Sequence, residues 1–235
     1  MAGDGAFVPS EKTCIVYGNA ALQSIAEAFA ADWKEMFGNA LQVKAGKPQA
    51  GDFYLTLKKD KKLGKEGYAI AVAKYVTVSA PETTGVYWAT RTLLQIGEQS
   101  DNHALPHGTV RDWPDYSVRG FMMDCGRKFI PMAYMRDLVK MMSYYKMNVL
   151  QVHLNDNGFK QFFGHDWSKT YAAFRLECET FPGLTARDGY YTKREFVDFQ
   201  LDAAARCVEI IPEIDAPAHT LAFSHYKPEL GSKEY

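Results

Sequence analysis

Between Val118 and Ile214 the chain alternates strand, helix, strand, helix, strand, and the strands are continuous apolar runs rather than period-two ones. SVRGFMMDC reads as the first strand, NVLQVHL (Asn148 to Leu154) as the second and VEIIPEI (Val208 to Ile214) as the third. Strands that are apolar on both faces are covered on both faces, and successive parallel strands need a crossover helix between them. The intervening segments supply those helices. PMAYMRDLVKMMSYYK places Tyr134, Leu138, Met141, Met142 and Tyr145 on one face, and TKREFVDFQLDAAARC opens on a capping-box pair, Thr192 and Glu195. The pattern predicts an α/β fold with a parallel sheet.

Polar groups sit where such a sheet binds ligands, outside the carboxyl ends of its strands. Strand one ends at Asp124, with Arg127 just after it and Arg119 near its start. Strand two is read as ending at Asp156, with His153 three residues earlier, and strand three at Asp215, followed by His219. Each residue alone has an ordinary explanation. Asp156 or Asp215 could cap a helix, His153 could be a satisfied core histidine, and Arg119 could pair with a nearby carboxylate. Pro212 removes a ladder donor from strand three, which implies a specific tertiary reason for its presence. Three consecutive strands each carrying a carboxylate to one edge is what points to a site. His153, Asp156, Asp215 and His219 could also supply two imidazoles and two carboxylates to a divalent ion, but their spacing does not favour that over a carboxylate-oriented histidine.

The region before Asp115 has another rhythm. Leu22, Ile25, Phe29, Trp33 and Phe37 recur at helical steps between an N-cap candidate, Asn19, and a stop, Gly38. FYLTLK, YAIAV and YVTVSA alternate with period two, and Val86, Ala89, Leu93 and Ile96 mark a second helix. This is an α+β pattern without a titratable cluster, read as scaffold. The basic run Lys58 to Lys62 reads as a solvated hairpin turn. The expected domains are therefore 1–115 and 116–235.

Composition excludes some partners. A net charge of −1 gives no electrostatic reason for nucleic acid or an anionic membrane, and no stretch approaches the roughly 18–20 apolar residues of a membrane span. The four cysteines are widely spaced, suggesting buried free thiols rather than zinc or disulfides. The opening MAGDGAFVPSEK has no apolar signal core and looks like a start codon ahead of a mature domain. That leaves open an export signal removed from a precursor, and with it an exported or periplasmic location.

VRGFMMDCGRKF, YYKMNVLQVHLND and EIIPEIDAPAHT, in that order, resemble family 20 glycoside hydrolases, the β-N-acetylhexosaminidases. GYAIAV followed by GVYWATRTLLQ resembles the α+β domain that precedes their barrel. The resemblance implies an N-terminal α+β domain followed by an incomplete (β/α)8 TIM barrel, about its first three β/α units. It implies removal of terminal β-linked N-acetylhexosamine from glycans, with the substrate's acetamido oxygen as nucleophile, no metal and no cofactor. Residue by residue, Arg119 matches the arginine that grips sugar hydroxyls. Asp156 and His219 match the relay behind the general acid, and Asp215 the carboxylate that supports it.

There are two departures. The family's H-L-x-D-D-Q-x-W run is HLNDNGF here, and the following aromatics (Phe159, Phe162, Phe163, Trp167, Tyr171, Phe174) either wall a pocket or pack a large loop. The family's catalytic Asp-Glu dipeptide occurs nowhere in the chain. Three units occupy Val118 to Tyr235, whereas a full barrel needs about 250 residues. The expectation is a chain truncated before its catalytic pair, inactive alone, with sticky barrel edges prone to self-association. A sugar-binding module without turnover and a metal-dependent hydrolase are the alternatives.

Overall fold

The computed structural model describes residues 2–231. The chain forms two compact units, Met1–Ser117 and Val118–Tyr235. The first is a seven-stranded mixed sheet, in the order β1-β7-β5-β6-β4-β2-β3, with two helices. Its elements are β1 (Ala2–Phe7), β2 (Cys14–Tyr17), α1 (Gln23–Phe37), β3 (Gln42–Ala45), β4 (Phe53–Leu57), β5 (Tyr68–Val72), β6 (Val76–Ala80), α2 (Thr83–Glu98) and β7 (Leu105–Asp112).

Local chemistry sets the ends of α1. The Asn19 side chain accepts the Ala21 N–H at 2.9 Å and starts a single 3-10 turn, which runs into the helix. Gly38 ends it at φ +81°, a left-handed conformation that costs glycine nothing, and its N–H bonds Lys34 O. Phe29 and Trp33 of α1 are buried against Phe53 of β4, with ring centroids 5.3 Å apart in both pairs. A buried ion pair, Asp32 to Arg91 at 2.5 Å, joins α1 to α2. Lys58 to Lys62 is a solvated turn but not a hairpin: the chain reverses direction there, but β6 lies between β4 and β5, so the two strands it joins are not paired.

The second unit holds β8 (Gly120–Asp124), α3 (Met132–Tyr144), β9 (Val149–His153), α4 (Lys193–Ala205), β12 (Glu209–Glu213) and α5 (Leu221–Tyr226). The three strands form a parallel sheet in the order β12-β9-β8. This is the expected run of β/α units from the start of a barrel. A short antiparallel pair, β10 (Asn155–Asn157) with β11 (Ala172–Phe174), rises beyond β9. Thr192 caps α4 by accepting the Glu195 N–H at 3.1 Å. The core packs Leu150 and Val152 of β9 between Met135, Val139 and Met142 of α3 and Phe196, Phe199 and Ala203 of α4.

The face of α3 differs from the sequence expectation. Of the expected face, Leu138 and Met142 do pack on the core, but Tyr134, Met141 and Tyr145 are exposed and Met132, Met135 and Val139 are buried instead. The helix carries two apolar stripes with the same spacing, so periodicity cannot choose between them. Burying the stripe with two tyrosines would take two hydroxyls out of water. All four cysteines are free thiols, but only Cys14 and Cys125 are buried, with Cys178 and Cys207 half-buried. Among the described residues no helix is long and apolar enough to cross a membrane.

Candidate active site

The carboxyl ends of β8, β9 and β12 bring Asp124, His153 and Glu213 into one row, with Asp124 and Glu213 each registered against His153. Strand two stops at His153 and strand three at Glu213, so Asp156 and Asp215 lie beyond the parallel sheet rather than on its last residues. The backbone explains this. Leu154 N–H still reaches Glu213 O at 3.0 Å, but Leu154 O accepts from Arg175 N–H at 2.9 Å, so the chain leaves the parallel sheet for the pairing with β11. That excursion turns the Asp156 side chain back over the strand ends.

Asp156 is wholly buried and is the hub of the cluster. Its Oδ1 accepts from Asn157 N–H at 2.6 Å and lies 2.6 Å from His219 Nδ1. Its Oδ2 lies 2.7 Å from His153 Nε2 and 2.8 Å from an Arg127 guanidinium nitrogen. His153 Nδ1 in turn lies 2.8 Å from Glu213 Oε1, and Gln151 donates to the other Glu213 oxygen. Burial pushes the Asp156 carboxyl up, but the Asn157 N–H, both histidines and Arg127 together outweigh it and hold the group below its usual range. Glu213 is likewise lowered: burial raises it, and Gln151 and His153 more than offset that.

His219 is delivered by the segment after β12, where Asn155 acts as a splint. The Asn155 amide donates to Asp215 O (3.1 Å) and His219 O (2.9 Å), and its oxygen accepts the Asp215 N–H at 2.9 Å. His219 sits at φ +57°, which costs an L-residue roughly 1–2 kcal/mol. Side-chain and carbonyl hydrogen bonds on both sides hold it there. Its Nε2 faces Asp215 Oδ2 at 3.8 Å, outside hydrogen-bond range.

Three of the four residues to which the resemblance gives roles, Asp156, His219 and Asp215, come together here. Arg119 does not. It precedes the first residue of β8, at the opposite end of the sheet, five residue steps or about 16 Å along the strand from Asp124. Its Nε donates to Lys146 O at 2.7 Å, and its backbone exchanges hydrogen bonds with Asn148. The arginine at the cluster is Arg127. It is 37% exposed, bonded to Asp124 and Asp156 at 2.8 Å, with its guanidinium 5.4 Å from the Phe159 ring centre.

Sequence reasoning assigned no role to Glu213, Asn155 or Arg175. Glu213 had a signal, an acidic residue closing an apolar strand. Arg175 had none, and it is fully buried. Its guanidinium donates to the carbonyls of Cys125 (2.8 Å), Gly126 (3.2 Å) and Gly189 (2.8 Å), to Asp188 (2.8 Å) and to the Tyr171 hydroxyl. It thus clamps the turn that carries Arg127 to the long connection. That connection divides its aromatics. Phe174 packs with Leu184 and Ala222, whereas Phe159 and Phe162 are open, the latter 77% exposed.

Two triads, His153–Asp215–His219 and Asp124–His153–Asp156, have candidate ligand atoms within 4.8 Å of one another. Both need a lone pair from His153, and both its nitrogens already face carboxylates. A metal would have to break that arrangement.

Residues 116–235 match the model of the glycosyl hydrolase family 20 catalytic domain, and residues 1–113 match domain 2 of the same family. A β-hexosaminidase of Akkermansia muciniphila is 35% identical over 147 residues, covering 62% of this chain and 30% of the relative. One from Porphyromonas gingivalis is 26% identical over 97% of this chain and 30% of its own length. Among solved structures, the Streptomyces plicatus N-acetyl-β-hexosaminidase superposes with a TM-score of 0.82 at 25% identity, over 98% of this chain and 47% of that one. The Flavobacterium johnsoniae chitobiase gives 0.80 at 25% identity, over 100% and 36%. The chain thus spans about three-tenths of the length of these two curated relatives. With both of its units matched, the chain belongs to glycosyl hydrolase family 20.

Proposed function

We propose that this chain supplies the N-terminal domain and the first third of the pocket of a retaining β-N-acetylhexosaminidase, which removes terminal β-linked N-acetylhexosamine from glycans. The observation that carries this reading is the 2.6 Å contact between His219 Nδ1 and wholly buried Asp156 at the carboxyl edge of a parallel sheet. A carboxylate fixed behind an imidazole orients it and stabilises its charged form, leaving the outward nitrogen to serve a third group. Here that third group is the general acid, and Asp215 flanks the same nitrogen. Arg127, not Arg119, is the sugar-gripping arginine. Asp124 and Asp156 anchor its guanidinium at one nitrogen, and the remaining donors of the planar fork suit vicinal hydroxyls. Phe159 beside it offers an aromatic face to a sugar ring.

The acid and its partner carboxylate are an Asp-Glu pair outside these 235 residues, since no such dipeptide occurs in them. The test is hydrolysis of a chromogenic β-N-acetylglucosaminide by this chain and by a longer version that includes such a pair. Turnover is expected only from the longer version, with Arg127→Ala raising KM at least tenfold and Arg119→Ala leaving it unchanged. Turnover by the 235-residue chain would place the acid within it and overturn this account. Binding without turnover by both versions would make the protein a sugar-binding module, and loss of activity to a chelator would make it a metal-dependent hydrolase.

A further inference from the structure

We infer that His153 is held as an imidazolium cation at neutral pH, a positioning residue that pins Asp156 so that His219 is held with its proton on Nδ1. The inference deepens the relay proposed above, but its first part is a statement about charge that can be read without substrate.

A neutral imidazole has one N–H and one lone pair. His153 has a carboxylate oxygen at each nitrogen, Glu213 at 2.8 Å and Asp156 at 2.7 Å. A neutral ring would point its lone pair at one of them, unless that carboxyl were itself protonated. The other partners speak against a protonated carboxyl. Asp156 also faces the donors Asn157 N–H and Arg127, and Glu213 accepts from Gln151. Each is therefore ionised, and the proton belongs to the ring.

The surrounding charges agree. His153 faces Glu213 from β12, Asp156 from β10, Asp124 from β8 and Asp215 from the segment after β12. Against these four carboxylates stand Arg127 and the His219 ring, whose centre is 5.7 Å away. His153 is only 5% exposed, and a buried cation persists only where it is paired on its donors, as here. Burial alone would lower its proton affinity, but the hydrogen bonds and charges of Glu213 and Asp156 outweigh that and raise it.

The consequence reaches His219. With His153 and Arg127 on Oδ2, Asp156 stays an anion and offers Oδ1 to His219 as an acceptor only. His219 must then donate from Nδ1, which leaves Nε2 as the lone-pair nitrogen turned toward Asp215. A neutral His153 with its lone pair on Asp156 would require that carboxyl to carry the proton itself, and Oδ1 would then no longer fix His219 as a donor from Nδ1.

The test is long-range 1H–15N correlation on the histidine-labelled 235-residue chain from pH 5.5 to 9, with each ring assigned by its loss in a single variant. Both His153 nitrogens are expected at imidazolium positions up to at least pH 7.5, with the proton lost only above the ordinary range, and His219, when neutral, at Nδ1–H positions. A pyridine-like His153 nitrogen at pH 7.5, or titration near the ordinary value of about 6.5, would overturn the charge assignment. Glu213→Gln, with its fold checked by circular dichroism, is expected to weaken His153 proton binding at least tenfold, and unchanged titration would count against the pairing. His153→Gln is expected to mix the His219 tautomers, and an unaltered His219 pattern would remove the positioning role. If Glu213→Gln fails to fold, the wild-type titration still decides the charge. Failure of sugar hydrolysis would leave that charge assignment standing.

Discussion

Each unit of this protein buries an arginine–carboxylate contact, and the two contacts are built differently. In the first, Asp32 and Arg91 meet between two helices, and Arg91 spends its other donors on Thr90 and lies over the Tyr87 ring. It is enclosed in an apolar region. In the second, buried Asp156 is the floor of a cluster whose other members, Arg127, His219 and Asp215, are partly open to solvent. A buried ion pair alone is therefore no sign of function. A buried carboxylate whose partners lead outward to a strand-end surface is one, because a ligand can reach what the carboxylate orients.

The largest effect that tests this contrast comes from Asp156→Ala. It leaves the His153 and Arg127 charges without their shared acceptor, and breaking a buried pair costs about 3–5 kcal/mol. Urea unfolding with hydrogen exchange should show protection lost around β9 and β12, with the sheet of the first unit unchanged. Equal loss in both units would break the comparison. Next is Arg175→Met, which removes five donors from the clamp and should cost about 3 kcal/mol, read by the same exchange at Cys125 to Arg127. Gly126→Ala should cost about 2 kcal/mol. Its added carbon would stand 2.7 Å from the backbone of Asn155 and Asp156, atoms that cannot move aside cheaply.

A smaller effect is the pH response. Asp156 has a lowered folded pKa, so the stability it contributes is present above its unfolded value near 4 and is lost as pH falls through the folded one. His153 has a raised folded pKa, so its contribution is complete below about 6.5 and is lost as pH rises through the folded value. Melting of the second unit should therefore weaken at both ends of the scale. A flat profile between pH 3 and 10 would show that the cluster carries no net linkage.

How much of this was legible from sequence depended on the range of the signal. The three parallel strands were readable because apolar runs and caps are local, as Asn19, Gly38 and Thr192 show. Asp156, His219 and Asp215 were readable because each lies within five residues of a strand's apparent end. Arg119 was read at the start of its strand, where it lies, but the role taken from the resemblance went to it rather than to Arg127, which follows the carboxyl end of the same strand. Glu213 went unread because the strand was read as running on to Asp215, and Arg175 because burial of a guanidinium depends on carbonyls about fifty residues away. Two apolar stripes on α3 defeated the choice of face for a different reason: both satisfy the helical period.

The smallest expected effect returns to the first unit. Replacing a buried ion pair by apolar side chains of similar size is often close to neutral, because the attraction lost is matched by the desolvation avoided. Asp32→Leu with Arg91→Met should therefore change stability by no more than about 1 kcal/mol, while Arg91→Met alone should cost several times that by taking a charged partner from the buried Asp32 carboxylate. The corresponding double change at the second unit, Asp156→Leu with Arg127→Met, cannot be neutral, since His153 and His219 would both lose their acceptor. Thermal melts of the two double variants thus separate a pair that only packs from one that organises other groups. If the first double variant proved as damaging as the second, the Asp32–Arg91 pair would be an organising centre too, and the division between scaffold and site would fail.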